Sequence, residues 1–162
     1  MTGRLGAGRE RTMNILWLWT ARLVTRPRVQ NCISRLAKRR PYIHLKGYMQ
    51  RWWLIPRVRI LPFAVRVHHI LRGDPSPLLH DHPWNWRSIV LAGHYVEEDS
   101  FGERHIRRAG TTHAARAESL HRIDEVSGGG VWTLFIMYRK RNRWGFVGGV
   151  PPRKIRDVSD HG

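Results

Sequence analysis

The sequence predicts an all-β fold, an antiparallel sandwich or barrel entered through short N-terminal helices. Three observations carry this. From residue 43 onward, short apolar runs alternate with Gly- and Pro-marked breaks. The runs are rich in β-branched and aromatic residues. No βαβ alternation, internal repeat, Gly-rich phosphate loop or paired zinc-ribbon cysteines interrupts the pattern. The 162 residues suffice for one domain with a real core.

The elements follow in order. Residues 1–12, "MTGRLGAGRERT", carry no periodicity and are expected as a disordered tail, with Met13 an alternative start to Met1. Residues 13–40 place Leu16, Trp19, Leu23, Ile33 and Leu36 at helical spacing. Pro27 splits them into two helices, and "AKRRP" ends the second. Residues 41–147 form the β domain. Its expected strands are "YIHLKGYM", "RWWLIP", "RILPFAVRVHHIL", "RSIVLAGHYVE", "RHIRRAG", "THAARA", "LHRIDEV" and "VWTLFIMYR". Residues 148–162 are expected as a polar C-terminal tail.

Composition narrows the class. Eight tryptophans and 41% hydrophobic residues exclude a disordered chain. Cys32 stands alone, so no internal disulfide forms. "NILWLWTARLV" is too short to span a bilayer, and no small-residue cleavage site follows it. The expectation is a cytoplasmic protein without a membrane partner. The net charge of +17 has two readings. It attracts polyanions such as nucleic acid, or it reflects a GC-rich genome that replaces lysine with arginine, at 4 against 25.

The residues that suggest chemistry begin at "LLHDHPWNW". Histidines two apart on a strand share a face, so His80 and His82 can point into one pocket. With His121 they would make a three-histidine face for a divalent metal. Strand parity carries Trp84, Trp86 and Ser88 to the same side. His68 and His69 are adjacent, face opposite sides and are read as structural. His94, His105 and His113 are read as surface residues. Arg66, inside an apolar strand, needs a carboxylate, either from a substrate or from Glu97. Trp132, Leu134, Ile136 and Tyr138 share a strand face. Core packing is the default there, with Trp132 a candidate pocket wall and Tyr138 a candidate donor to substrate. Asp81 faces away from the two histidines. "RWGF", 143–146, reads as a plug closing the barrel.

These residues resemble the cupins. Their first motif has the form Gly-x5-His-x-His-x3 or 4-Glu-x6-Gly, and the second Gly-x5-Pro-x-Gly-x2-His-x3-Asn. His80, His82 and Gly93 fall in register in the first, Gly110 and His121 in the second. Trp86 occupies the glutamate slot, and Asp74 the opening glycine slot with Gly73 one position away. Arg116, Glu118 and Glu125 replace the proline, glycine and asparagine. The stretch "RVHHILRGDPSPLLHDHPW" also resembles small bacterial and phage-encoded cupins described as cysteine-dioxygenase-like. The resemblance implies a cupin-type double-stranded β-helix and a metal on His80, His82 and His121. Without the glutamate the ligand set is like that of thiol dioxygenases, which implies Fe(II), with Zn, Mn or Ni as alternatives. Arg66 and Tyr138 are then the candidate catalytic residues, and Trp84, Trp86, Ser88 and Trp132 the substrate pocket. The alternatives are a non-catalytic cupin module whose basic surface meets nucleic acid or an acidic partner, and a metal-free sugar isomerase. Cupins of this size often form homodimers through edge strands.

Overall fold

The computed structural model describes residues 3–141 and Gly145, with side chains from Met13 onward. Two helices, α1 (Gly3–Val24) and α2 (Pro27–Lys38), precede eight strands. These are β1 (Met49–Ile55), β2 (Ala64–Ile70), β3 (Trp84–Ala92), β4 (His94–Asp99), β5 (Arg104–Arg108), β6 (Thr112–Ala115), β7 (His121–Val126) and β8 (Val131–Lys140). All pairings are antiparallel. One sheet runs β1-β2-β8-β3-β6 and the other β5-β4-β7.

The five-stranded sheet is a two-sided layer, because side chains alternate along each strand. Val65, Val67, Ile89, Leu91 and Leu134 point to one side and pack under Ala21 and Ala37 of the helices. Arg66, His68, Trp86, Ser88, Thr133 and Phe135 point to the other and line a cavity. Residues of the three-stranded sheet, among them Tyr95, His121 and Ile123, complete that cavity.

Several boundaries differ from the sequence expectation. Helix α1 begins at Gly3, so the segment expected as a tail is helical over residues 3–12. That segment lacks an apolar stripe, but its Leu, Ala, Arg and Glu residues are good helix formers that extend the helix behind them. Pro27 does divide the helices, standing at the first position of α2 where its missing N–H costs nothing. "YIHLKGYM" forms no strand before Met49 opens β1, only a bridge of Leu45 to Met49, with Pro41 bridging Trp52 just ahead of it. "RSIVLAGHYVE" is two strands turned at Gly93, whose φ is 77°. A Cβ there would lie 2.7 Å from the Gly130 carbonyl oxygen, so the position requires glycine. The expected C-terminal tail, 148–162, lies outside the described residues, as does "RWGF" except for Gly145. Gly145 donates its N–H to Asp81 Oδ1 at 2.6 Å and accepts from Asp81 N at 3.1 Å.

Candidate metal centre

His80 and His82 do not lie on a named strand. They occupy the segment just before β3, and backbone bonds place them. His80 and His121 exchange N–H···O bonds of 2.9 and 3.0 Å, and His82 N–H donates to Ala117 O at 3.1 Å. The alternation expected of a strand persists through this segment, so both imidazoles face His121. The ligand-capable nitrogens of His80, His82 and His121 all lie within 4.8 Å of one another.

The nitrogens are also in the right protonation form. His121 Nδ1 lies 2.7 Å from Glu97 Oε1. The carboxylate accepts there, so Nδ1 carries the proton and Nε2 is the nitrogen that faces the cluster. Burial lowers the His80 pKa to about 4, only partly offset by Asp74. Burial also pushes His82 well below its ordinary value, with His121 and His80 adding to the effect. Both imidazoles are neutral at pH 7.

His82 Nε2 lies 2.8 Å from His121 Nε2. With metal–nitrogen bonds of about 2.1 Å, two ligands at a right angle place their nitrogens about 3.0 Å apart. The spacing suits two neighbouring positions around one ion, and the all-imidazole donor set suits Fe, Zn, Mn or Ni. The residues therefore fit a divalent metal.

Around the three histidines lies a layer of supporting groups. Glu97, buried on β4, also accepts from Arg107 Nε at 2.8 Å and lies 3.3 Å from His113 Nε2. Burial alone would raise its pKa, but the nearby His113 and the hydrogen-bonded His121 prevail and hold it well below the carboxylate range. Asp74 takes the Ile123 N–H at 2.7 Å and the Tyr48 hydroxyl, and stands 3.7 Å from His80 Nδ1. Trp86, at the position where the resemblance implies a glutamate, packs its ring 5.4 Å from His82, 5.0 Å from His121 and 5.2 Å from Phe135. The carboxylate slot is thus filled by an indole wall.

The cavity beside the cluster holds about 290 Å³. Trp84, Trp86, Ser88 and Arg66 line it. Trp132 and Tyr138 do not line it. They occupy β8 positions whose alternation turns them to the helical layer, where Trp132 stacks on Trp52 and His69. Tyr138 instead interacts with Arg87. Arg66 does not pair with Glu97. Its guanidinium sits 4.0 Å from the Tyr42 ring and 4.3 Å from the Trp53 ring.

The sequence reading missed four contributors. His68, read as structural, is buried in the cavity wall and stacks on Phe135 at 5.1 Å, with no hydrogen-bond partner for Nε2. Its parity with Arg66 was the available signal. His113, read as a surface residue, is turned inward onto Glu97. Glu97 and Tyr95 share the inward parity of β4, but only the β4–β7 register places Glu97 behind His121.

No protein-family model matches the sequence, and no curated protein matches it. Solved structures do. A cupin 2 conserved barrel domain protein from Rhodopseudomonas palustris is similar over 65% of this chain and 73% of its own, at 16% identity and a TM-score of 0.50. The Cupin_2 domain of an XRE-family transcriptional regulator from Enterobacter cloacae is similar over 59% of this chain and 100% of its own, at 16% identity and a TM-score of 0.49. Fe(II) HppE is similar over 58% of this chain and 55% of its own, at 17% identity and a TM-score of 0.48. The chain spans about half, 47%, of the matched DMSP lyase chain. The first of these likenesses makes the fold a cupin barrel. Fold and site together define a cupin-fold protein with a three-histidine cluster able to hold a metal. More particularly, Trp86 packs against the cluster at the position where the resemblance implies a glutamate.

Proposed function

We propose that the protein is a three-histidine metalloenzyme, iron-dependent, that oxidises a small anionic molecule with dioxygen. The observation that carries the reading is the convergence of three inward-facing imidazoles, His80 and His82 kept neutral by desolvation, on one wall of a cavity of about 290 Å³. His80, His82 and His121 would hold the ion, which would supply a Lewis-acid and redox centre beside the cavity. Glu97 fixes the His121 tautomer and ring angle. Trp86 and Phe135 exclude water from the cluster's flank and strengthen every polar contact made there.

Arg66 gives the substrate its charge. Arg66 is buried, at 9% exposure, and its Nε has no hydrogen-bond partner. Among the described residues no carboxylate lies within ion-pair distance of it. A buried cation without a counter-ion favours an anionic ligand. The rings of Tyr42 and Trp53 hold the guanidinium in place by cation–π contact. His68, two residues along the same strand face, offers its unpartnered Nε2 to a second polar group of the ligand.

The test is oxygen uptake by the Fe(II)-loaded protein with a panel of small thiols and amino acids, with mass spectrometry of the products. Uptake is expected with anionic members. Arg66→Met should raise KM by about 10- to 100-fold, the loss of one charged hydrogen bond, with iron content unchanged. Iron-replete protein that consumes no oxygen with any member would contradict catalysis and leave a metal-binding scaffold.

A further inference from the structure

Helix α1 buries one side and leaves an apolar surface on the other. Along a helix, Trp17, Thr20, Ala21 and Val24 share one side. Ala21 is fully buried, Trp17 and Val24 pack on the core, and the Arg87 guanidinium lies 4.5 Å from the Trp17 ring. The opposite side carries Ile15, Leu16, Trp19 and Leu23. Their exposures are 50, 64, 65 and 50%, far above those of ordinary core residues. Such a face on a surface helix marks a docking site.

The charge around it selects the occupant. Between residues 13 and 40 there are seven basic residues and no Asp or Glu. Arg22 lies 5.9 Å from the Trp19 ring, and Arg26 and Arg28 are exposed just beyond the helix. A second copy docked on this face would set these like charges against one another. A lipid surface bearing anionic headgroups accepts both features, since acyl chains take the apolar side chains and headgroups the arginines. An exposed tryptophan beside arginines suits the boundary between the two.

We propose that the outward face of α1 docks the protein on anionic phospholipid bilayers as a peripheral anchor. Nothing is spanned: among the described residues no helix is long and apolar enough to cross a membrane. The expectation of no membrane partner rested on the absence of a spanning segment, which does not bear on a helix lying in the interface. The cavity lies on the opposite face of the five-stranded sheet, so docking leaves it clear.

The experiment uses the full chain and vesicles of phosphatidylcholine with or without phosphatidylglycerol, at about 0.15 M salt. Wild-type protein should co-sediment with the anionic vesicles and be quenched by brominated acyl chains. Leu16→Asn/Trp19→Asn should weaken co-sedimentation by about tenfold or more. Trp19→Phe should lose the additional quenching while still binding. Circular dichroism confirms that each variant is folded, which the exposure of both side chains favours. Equal binding by wild type and double variant would reduce the effect to net charge and overturn the proposal. So would a double variant that dissociates a dimer, or that loses DNA binding, with vesicle binding unchanged.

Discussion

His121 is where the backbone, the histidine cluster and the supporting layer meet. Its amide pairs with His80, its Nε2 faces His82, and its Nδ1 is held by Glu97. Replacing Glu97 with Gln keeps the shape but removes the charge that fixes the tautomer. The affinity for a divalent ion should fall by about 10- to 100-fold, measured by competition with a chelating dye. Protonation of the cluster gives a second prediction. The unfolded chain takes up the His80 proton near pH 6.5, the folded chain only near 4. Between these values the unfolded state binds more protons, so stability falls as pH drops from about 6.5 to 4. His80 alone accounts for a loss of about 3 kcal/mol, and His82 and His68 act with the same sign. Urea titrations of metal-free protein across that range measure it, and a flat profile would mean that these imidazoles are not buried. The three clustered histidines were legible because His80 and His82 share a local spacing and His121 falls in register with a motif. Glu97, His113 and His68 were not, because what matters about each is a partner on another strand, and no spacing encodes that.

Among the elements, the turn between β3 and β4 sets the geometry of the site. Gly93 reverses the chain so that β3 carries Trp84, Trp86 and Ser88 in one sheet while β4 carries Tyr95 and Glu97 in the other. Gly93→Ala meets both a left-handed φ and the Gly130 carbonyl. It should cost at least about 1–3 kcal/mol, read as a lower urea midpoint at unchanged slope. Period-2 alternation placed Trp84, Trp86 and Ser88 on one face of β3, and all three line the cavity. On β8 the same parity was read correctly, and what it could not supply was which face meets the cavity. The core face, the default reading there, proved to be the helical side, which removes Trp132 and Tyr138 from the site. Tyr138→Phe should accordingly leave metal content and any turnover unchanged within twofold. Helix α1 was expected to begin ten residues later, because periodicity reports a buried stripe and says nothing of a helix that extends beyond it.

On the scale of the whole molecule, two layers do separate jobs. The space between the two sheets encloses the histidines and the cavity. The outer face of the larger sheet carries helices rich in arginine. The fold class was legible because many short strands with marked turns admit few all-β solutions. The direction in which the charge and apolar surface of α1 act was not, because exposure is a tertiary property. The central claim is that His80, His82 and His121 hold one divalent ion. Purified protein, stripped with chelator, reloaded anaerobically with Fe(II) and desalted, should retain about one iron per chain by elemental analysis, and its melting temperature should rise. His82→Ala and His121→Ala, still folded by circular dichroism, should retain almost none. Wild-type protein that keeps no iron, zinc, manganese or nickel after desalting, or variants that keep as much as wild type, would contradict the account.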